Sequence, residues 1–257
     1  MLGAIIGDIV GSRFEGSCPK QFLSVGDIDL LHPDCHFTDD TVLTVAIAAA
    51  LLHNQDYGAM IHDYYRRYPH AGYGQSFRRW GESDQPEPYN SFGNGSAMRV
   101  SPVGFACDAL DQVLVEAERT ARVTHNHPEG IRGAQATAAA VYLARQGSSK
   151  PDLQAYLEVQ FGYDLSQPFE TLTPAQVTCQ DAVPKALIAF LTSQDFEDAL
   201  RRTLQIGGDT DTIACIAGAI AQGCYGIPPG LGTAALTYLD QPLMAVTQQF
   251  MTRYGCL

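Results

Sequence analysis

The tightest constraint on this chain is the hexapeptide Gly207-Gly208-Asp209-Thr210-Asp211-Thr212, set directly before an apolar run of small residues at 213–226. A helix start needs one polar cap from Ser, Thr, Asp or Asn. Here two carboxylates and two hydroxyls crowd a single helix entry, and two glycines before them free the backbone to turn sharply. Adjacent carboxylates repel unless positive charge lies between them, and a helix N-terminus offers only about half a charge. The stretch reads as half of a cation site with hard oxygen ligands.

The other half lies far upstream. Thr38-Asp39-Asp40-Thr41 opens a second apolar, alanine-rich helix at 42–52. Laid over the first stretch, Asp40-Thr41 matches Asp211-Thr212 and Thr38 falls opposite Asp209. Together they offer the carboxylates Asp39, Asp40, Asp209 and Asp211, with threonine hydroxyls beside them. Two divalent cations would balance that charge, and all-oxygen ligands favour Mg²⁺, Mn²⁺ or Ca²⁺ over zinc or copper. Capping is the simpler account of either stretch alone; for the pair it explains too few of the acids.

The 257 residues suit one large domain or two small ones, and 46% hydrophobic residues supply a sizeable core. A net charge of −12 argues against non-specific binding to nucleic acid or anionic membranes, both of which need basic surface. It leaves a phosphate-bearing substrate open, because bound cations invert the local sign. The seven cysteines, at 18, 35, 107, 179, 215, 224 and 256, form no CxxC pair, and Cys215 and Cys224 fall inside the small-residue helix as core positions. That scatter points to a reducing cytosol rather than a disulfide frame. No basic region precedes the first apolar run, so a secretory signal is not expected. Nor is a membrane span, since no run of about 18 apolar residues lacks a polar break.

Along the chain, Gly3, Gly7 and Gly11 recur every fourth residue in the apolar opening at 1–10. The spacing bares one helix face and lets another backbone come close; Asp8 speaks against a membrane dimer. Glu15 follows in a polar loop, either as a plain surface acid or as a group reaching a site. Helical patterns are expected at 39–53, 57–68, 75–80, 111–124, from Pro128 to about 145, and at 152–161, 182–192, 196–204 and 213–226, with one or two more after Pro228-Pro229. GESDQPEPY at 81–89 is a loop. Gly93-Asn94-Gly95-Ser96 leads into a short helix and can present backbone N–H groups to a phosphate, although Gly-Asn-Gly is also an ordinary turn. His125 and His127 lack the partners of a zinc site and read as capping or stacking histidines. The 147–151 stretch is the best linker candidate, and no strand or repeat is evident. The expected architecture is a compact all-α domain, a single unit over 1–257, whose helix N-termini converge on a cleft.

Taken together, the pieces GAIIGDIVGSRFEG at the start, FTDDT at 37–41, FGNGSAMR at 92–99, THNHPEG at 124–130 and IGGDTDTIACIAGAIA from 206 resemble the ADP-ribosylglycohydrolase family, which includes the dinitrogenase-reductase-activating glycohydrolases. They span nearly the whole chain in the family's order. One departure is Gln222, where a small residue is usual. The resemblance implies an orthogonal helical bundle with a binuclear Mg²⁺ or Mn²⁺ centre in a cleft. By position, Thr38, Asp39 and Asp40 would bind one side of that centre and Asp209, Asp211 and Thr212 the other. Glu15 matches the acidic residue of the first loop, which reaches the metals in the family. The Gly93-Asn94-Gly95-Ser96 loop would hold the diphosphate of ADP-ribose, and His125 would line the nucleotide pocket. Residues 70–90 do not align; Asp84 is the candidate there for a further catalytic acid.

The implied reaction is hydrolysis of the bond between ADP-ribose and an acceptor on a modified protein or small molecule, releasing ADP-ribose. Arginine is the first choice of acceptor and serine the second. Glu15 and Asp40 are the catalytic candidates; aspartates held by two cations stay ionised, so Glu15 is the better proton carrier. Two other readings stand beside it: a binuclear hydrolase of nucleotide phosphates, and a non-catalytic relative that binds ADP-ribose or serves structurally.

Overall fold

The computed structural model describes residues 1–16, 26 and 28–255; Cys18 and Cys256, and much of the 17–37 segment, lie outside them. The described residues are helical, as the periodicity predicts, with no strand and only the isolated bridges Gly93–Thr178 and Ala175–Gly208.

The centre is a seam between α1 (Leu2–Ser12) and α12 (Thr210–Tyr225). Every residue of α1 is buried, and so is α12 from Thr210 to Gln222. Gly3 meets Gly218, Gly7 meets Ala214 and Gly11 meets Thr210, so the two helices run antiparallel with their backbones in contact. A methyl group on Gly7 would sit 2.7 Å from the Cys215 nitrogen and closer still to the Ala214 carbonyl. Glycine is therefore required there sterically, and the four-residue spacing read in the sequence is a packing device. Gln222, the departure from the family pattern, has a task in the same seam. Its Oε1 accepts from the Met1 amino group at 2.9 Å and from the Gly3 N–H at 2.8 Å, covering donors that the start of α1 would otherwise leave bare.

Around this pair pack α8 (Pro128–Arg145), α10 (Cys179–Thr192) and α11 (Phe196–Ile206) on the α12 side. On the other side α2 (Asp39–His53) lies against α3 (Tyr57–Arg67), α6 (Ser101–Ala106) and α14 (Gln241–Tyr254). Shorter or more peripheral helices are α4 (Gln75–Gly81), α5 (Gly95–Met98), α7 (Leu110–Arg122), α9 (Lys150–Phe161) and α13 (Pro229–Leu236). The sequence gives no sign of α6, whose six residues are too few for a period to show. Helix α10 begins a turn earlier than its pattern suggests and accommodates Pro184. The 147–151 stretch is the end of the short turn after α8 and the first residues of α9, where Lys150 reaches the Leu191 and Ser193 carbonyls on α10 and beyond it.

Candidate active site

Antiparallel packing places the end of α1 beside the start of α12, and the start of α2 abuts both. Asp8, buried in α1, is the joint. Its carboxylate accepts from the Thr38 N–H at 2.9 Å, the Thr38 hydroxyl at 2.7 Å and the Thr41 N–H at 3.0 Å, so it clamps the entry of α2. Thr38 in turn caps that helix by accepting from the Asp40 N–H at 3.3 Å. Capping of α2 thus accounts for Thr38 but for neither Asp39 nor Asp40. Asp209 occupies the cap position of α12 without making a side-chain cap bond; it accepts instead from Asn94 Nδ2 at 2.6 Å.

One carboxylate oxygen from each of Asp8, Asp40 and Asp211 lies within 4.8 Å of the other two, and the same holds for Glu15, Asp209 and Asp211. Asp211 belongs to both trios. Asp40 Oδ1 is buried with no hydrogen-bond partner among the described residues, while its Oδ2 accepts from the Thr212 hydroxyl at 3.4 Å. Glu15 is brought in from the α1 side because the Gly16 N–H donates to the Gly208 carbonyl at 2.8 Å. Asp39 lines the same cavity, half-buried, but joins neither trio.

The electrostatics follow from this crowding. Burial, then repulsion from Asp211 and Asp8, lifts the Asp40 carboxyl well above its ordinary range. Burial and then Asp209 do the same to Asp211. Asp39 is pushed up to about 8 by burial and then by Asp8. Glu15 is raised by burial, then by Asp209 and Asp8. A buried carboxylate oxygen with no donor costs about 1–3 kcal/mol or more, and Asp40 Oδ1 is such an atom. Oxygen-only ligands, a lone pair without a donor and two acid trios meeting at Asp211 together suit hard divalent cations.

Glu15, Asp39, Asp40, Asp209 and Asp211 form part of the wall of a cavity of about 780 Å³ that also touches Gly93, Asn94, Gly95, Tyr89 and His125. Ser96 is not in that wall: its hydroxyl is fully buried and donates to the Gly130 carbonyl at 2.7 Å. The Asn94 N–H is taken by the Val177 carbonyl at 3.1 Å, so the loop presents fewer free donors than its sequence suggests. His127 caps α8, accepting from the Glu129 N–H at 3.1 Å, with its ring 5.4 Å from that of Phe92. Asp84 is exposed and away from the cavity, 3.9 Å from Arg66. Among the described residues, 70–90 contribute no carboxylate to the cavity wall.

Two supports escape the sequence reading. Asp8 is the first; a single acid in an otherwise apolar helix was its only signal. The second is the segment 173–178, which carries no motif. The Ala175 N–H donates to the Gly207 carbonyl at 2.9 Å, and the Asp209 N–H to the Ala175 carbonyl at 3.1 Å. The same segment holds Asn94 through Val177, so it staples the Gly-Asn-Gly loop to the acidic hexapeptide. Gly208, at φ +83°, has Ala175 where a side chain would go. Buried Lys185 fixes the segment from behind, donating to both Asp181 oxygens at 2.7 Å and to the Pro174 carbonyl at 3.1 Å.

Comparison with known proteins agrees with this layout. ADP-ribosylhydrolase ARH3 from Homo sapiens is 29% identical over 88% of this chain and 84% of its own length. ADP-ribosylarginine hydrolase Tri1 from Pseudomonas putida is 26% identical over 88% of this chain and 70% of its own. A solved structure titled as an ADP-ribosylglycohydrolase-related protein complex superposes with a TM-score of 0.74 at 26% identity, covering 98% of this chain and 96% of that one. The sequence profile described as ADP-ribosylglycohydrolase matches residues 1–254. With an all-helical frame, and its motifs gathered around one cavity, the chain belongs to the ADP-ribosylglycohydrolase family.

Proposed function

We propose that this chain is a divalent-cation-dependent hydrolase that cleaves the glycosidic bond between ADP-ribose and an acceptor, with arginine as the acceptor. The observation that carries the reading is the meeting of two helix-entry acid clusters, Asp40 and Asp211, within 4.8 Å in a cavity that also contains the Gly-Asn-Gly loop. Thr38, Asp39 and Asp40 would hold one side of a pair of Mg²⁺ or Mn²⁺ ions, and Asp209, Asp211 and Thr212 the other. Such ions, when bound, would supply Lewis-acid polarisation of substrate oxygens and a water of lowered pKa.

The chain's own groups do the rest. Asp8 keeps Thr38 and the α2 entry in register with α12. Glu15 is exposed at the rim with a raised pKa, so it exchanges a proton with the leaving group or the attacking water more readily than the ligand aspartates. Asp40, the other catalytic candidate, acts chiefly as a ligand. The Gly93-Asn94-Gly95 loop and His125 take the diphosphate, and Ser96 serves by fastening the loop to Gly130. Arginine is supported by the acidic rim, which draws a cationic guanidine, and by the name of the Pseudomonas relative. The five cysteines among the described residues are free thiols, which supports a cytosolic place of work; no helix among the described residues is long and apolar enough to cross a membrane.

A panel of ADP-ribosyl-arginine, ADP-ribosyl-serine and plain nucleotide phosphates, with and without chelator, tests the proposal. Chelator-sensitive release of ADP-ribose from the arginine conjugate is expected. Turnover of the nucleotide phosphates alone, or full activity in chelator, refutes it.

A further inference from the structure

Arg99 is an unusual core residue. Its side chain is fully buried, yet among the described residues it forms no ion pair. Burial pushes its pKa down to about 10, so it still carries its charge at neutral pH. Nη2 donates to the Thr120 carbonyl at 2.8 Å and to the Thr124 hydroxyl at 2.9 Å, while Nε and Nη1 have no partner among the described residues. A buried cation held this loosely is costly. What it does hold is the orientation of one hydroxyl.

The Thr124 hydroxyl also lies 2.6 Å from His125 Nδ1. A guanidinium only donates, and a hydroxyl has one proton. With one lone pair of Thr124 filled by Arg99, its proton has His125 Nδ1 as its acceptor; the alternative, Nδ1–H donating to Thr124, leaves the buried hydroxyl proton with no acceptor among the described residues. Nδ1 therefore accepts, and the neutral ring carries its proton on Nε2. The charge of Arg99 adds to burial in keeping the ring from protonating. Nε2 has no acceptor among the described residues. It borders the cavity at the Gly-Asn-Gly loop, 3.2 Å from where a Cβ on Gly95 would be and 3.5 Å from one on Gly93.

We propose that Arg99 and Thr124 are positioning residues that lock His125 as its Nε2–H tautomer, making it a neutral donor to an anionic oxygen of the substrate's diphosphate beside the Gly93 and Gly95 backbone. The tautomer follows from the hydrogen-bond count alone; the identity of the acceptor rests on the nucleotide-diphosphate reading above. His125 is thereby a fixed donor, and a proton shuttle is not its part.

The test uses ¹⁵N-histidine-labelled full-length protein with Mg²⁺ at neutral pH. Ring-nitrogen spectra of the wild type should show an acceptor-type Nδ1 and a protonated Nε2 for His125. Thr124→Ser should preserve that pattern, whereas Thr124→Val and Arg99→Met should shift it towards Nδ1–H or a mixture. Titration with ADP-ribose, and with adenosine as the diphosphate-free probe, reads the consequence. Loss of one hydrogen bond to a charged group predicts about tenfold or more weaker ADP-ribose binding in Thr124→Val. Adenosine binding should be unchanged, and Thr124→Ser should restore wild-type affinity. A wild-type spectrum with Nδ1 protonated overturns the proposal even if every variant fails to fold. So does an altered tautomer in Thr124→Val with undiminished ADP-ribose affinity. A wild type that shows the Nε2–H pattern yet binds no ADP-ribose refutes the diphosphate acceptor and the functional reading, and upholds the tautomer lock.

Discussion

Gly7→Ala puts the α1–α12 seam to a direct test. The added methyl would lie 2.7 Å from Cys215 N and nearer to the Ala214 carbonyl, against about 3.5–4.0 Å for an ordinary carbon contact. Both obstructing groups are helix backbone, so neither can rotate away, and the helices must separate by about 1 Å or more. A gap of that order forfeits about a quarter to a half of each contact's attraction along the seam, and overpacked cores lose about 1–3 kcal/mol, occasionally more. Alanine returns up to about 1 kcal/mol of helix propensity. The net expectation is a loss of about 2 kcal/mol, or a fall in Tm of about 4–8 °C in a chain of this size. Gly230→Ala is the control: Gly230 sits in α13 with nothing within 4 Å of its would-be side chain, and the same substitution there should be neutral or stabilising. Thermal unfolding followed by circular dichroism reads both. If Gly7→Ala melts at or above the wild-type temperature, the close backbone approach is refuted.

Four further outcomes follow from the site. Asp40→Asn removes a buried carboxylate with an unpartnered oxygen; in chelator it should be about 1–3 kcal/mol more stable than the wild type and should lose the stabilisation that Mg²⁺ gives, measured by melting with and without the cation. Asp211→Asn should lose metal and activity together while its circular dichroism stays native; normal turnover would defeat the assignment. Glu15→Gln should keep bound metal, measured by elemental analysis, and lose kcat. His125 has a folded pKa well below its ordinary value because of burial and then Arg99, so only the unfolded chain takes up its proton below about pH 6.5. Its contribution is therefore intact above that pH and fades as pH falls, at up to about 1.4 kcal/mol per pH unit relative to His125→Gln; parallel pH–stability curves for the two proteins would refute it.

Much of this was visible in the residues because it is local. The two Asp/Thr helix entries, the four-residue glycine spacing and the long helices are patterns within a window of a few turns, and each is found where those patterns place it. What was hidden is held by contacts between distant segments. Asp8 looks like a lone acid until Thr38 and Thr41 fold onto it. Ser96 reads as a loop hydroxyl facing a ligand, but Gly130, 34 residues on, draws it into the core. The segment 173–178 has no motif at all; its importance lies in backbone bonds to two loops remote in sequence, which any residue with a free N–H and carbonyl can make. Arg99 belongs to the quoted FGNGSAMR piece, yet its work depends on a hydroxyl 25 residues away.

The Gln222 cap has a consequence for how such a chain comes to be built. Helix α1 carries Asp8, yet the acceptor for its leading donors lies 219 residues beyond Gly3, and its glycine face has no partner until α12 exists. Closing so long a loop is slow, so α1 must wait, apolar and uncapped, while the 219 residues from Gly3 to Gln222 are synthesised. Assembly of the acidic centre is then a late event in biogenesis, and a nascent chain halted before residue 210 would carry one acidic half-site with nothing to complete it.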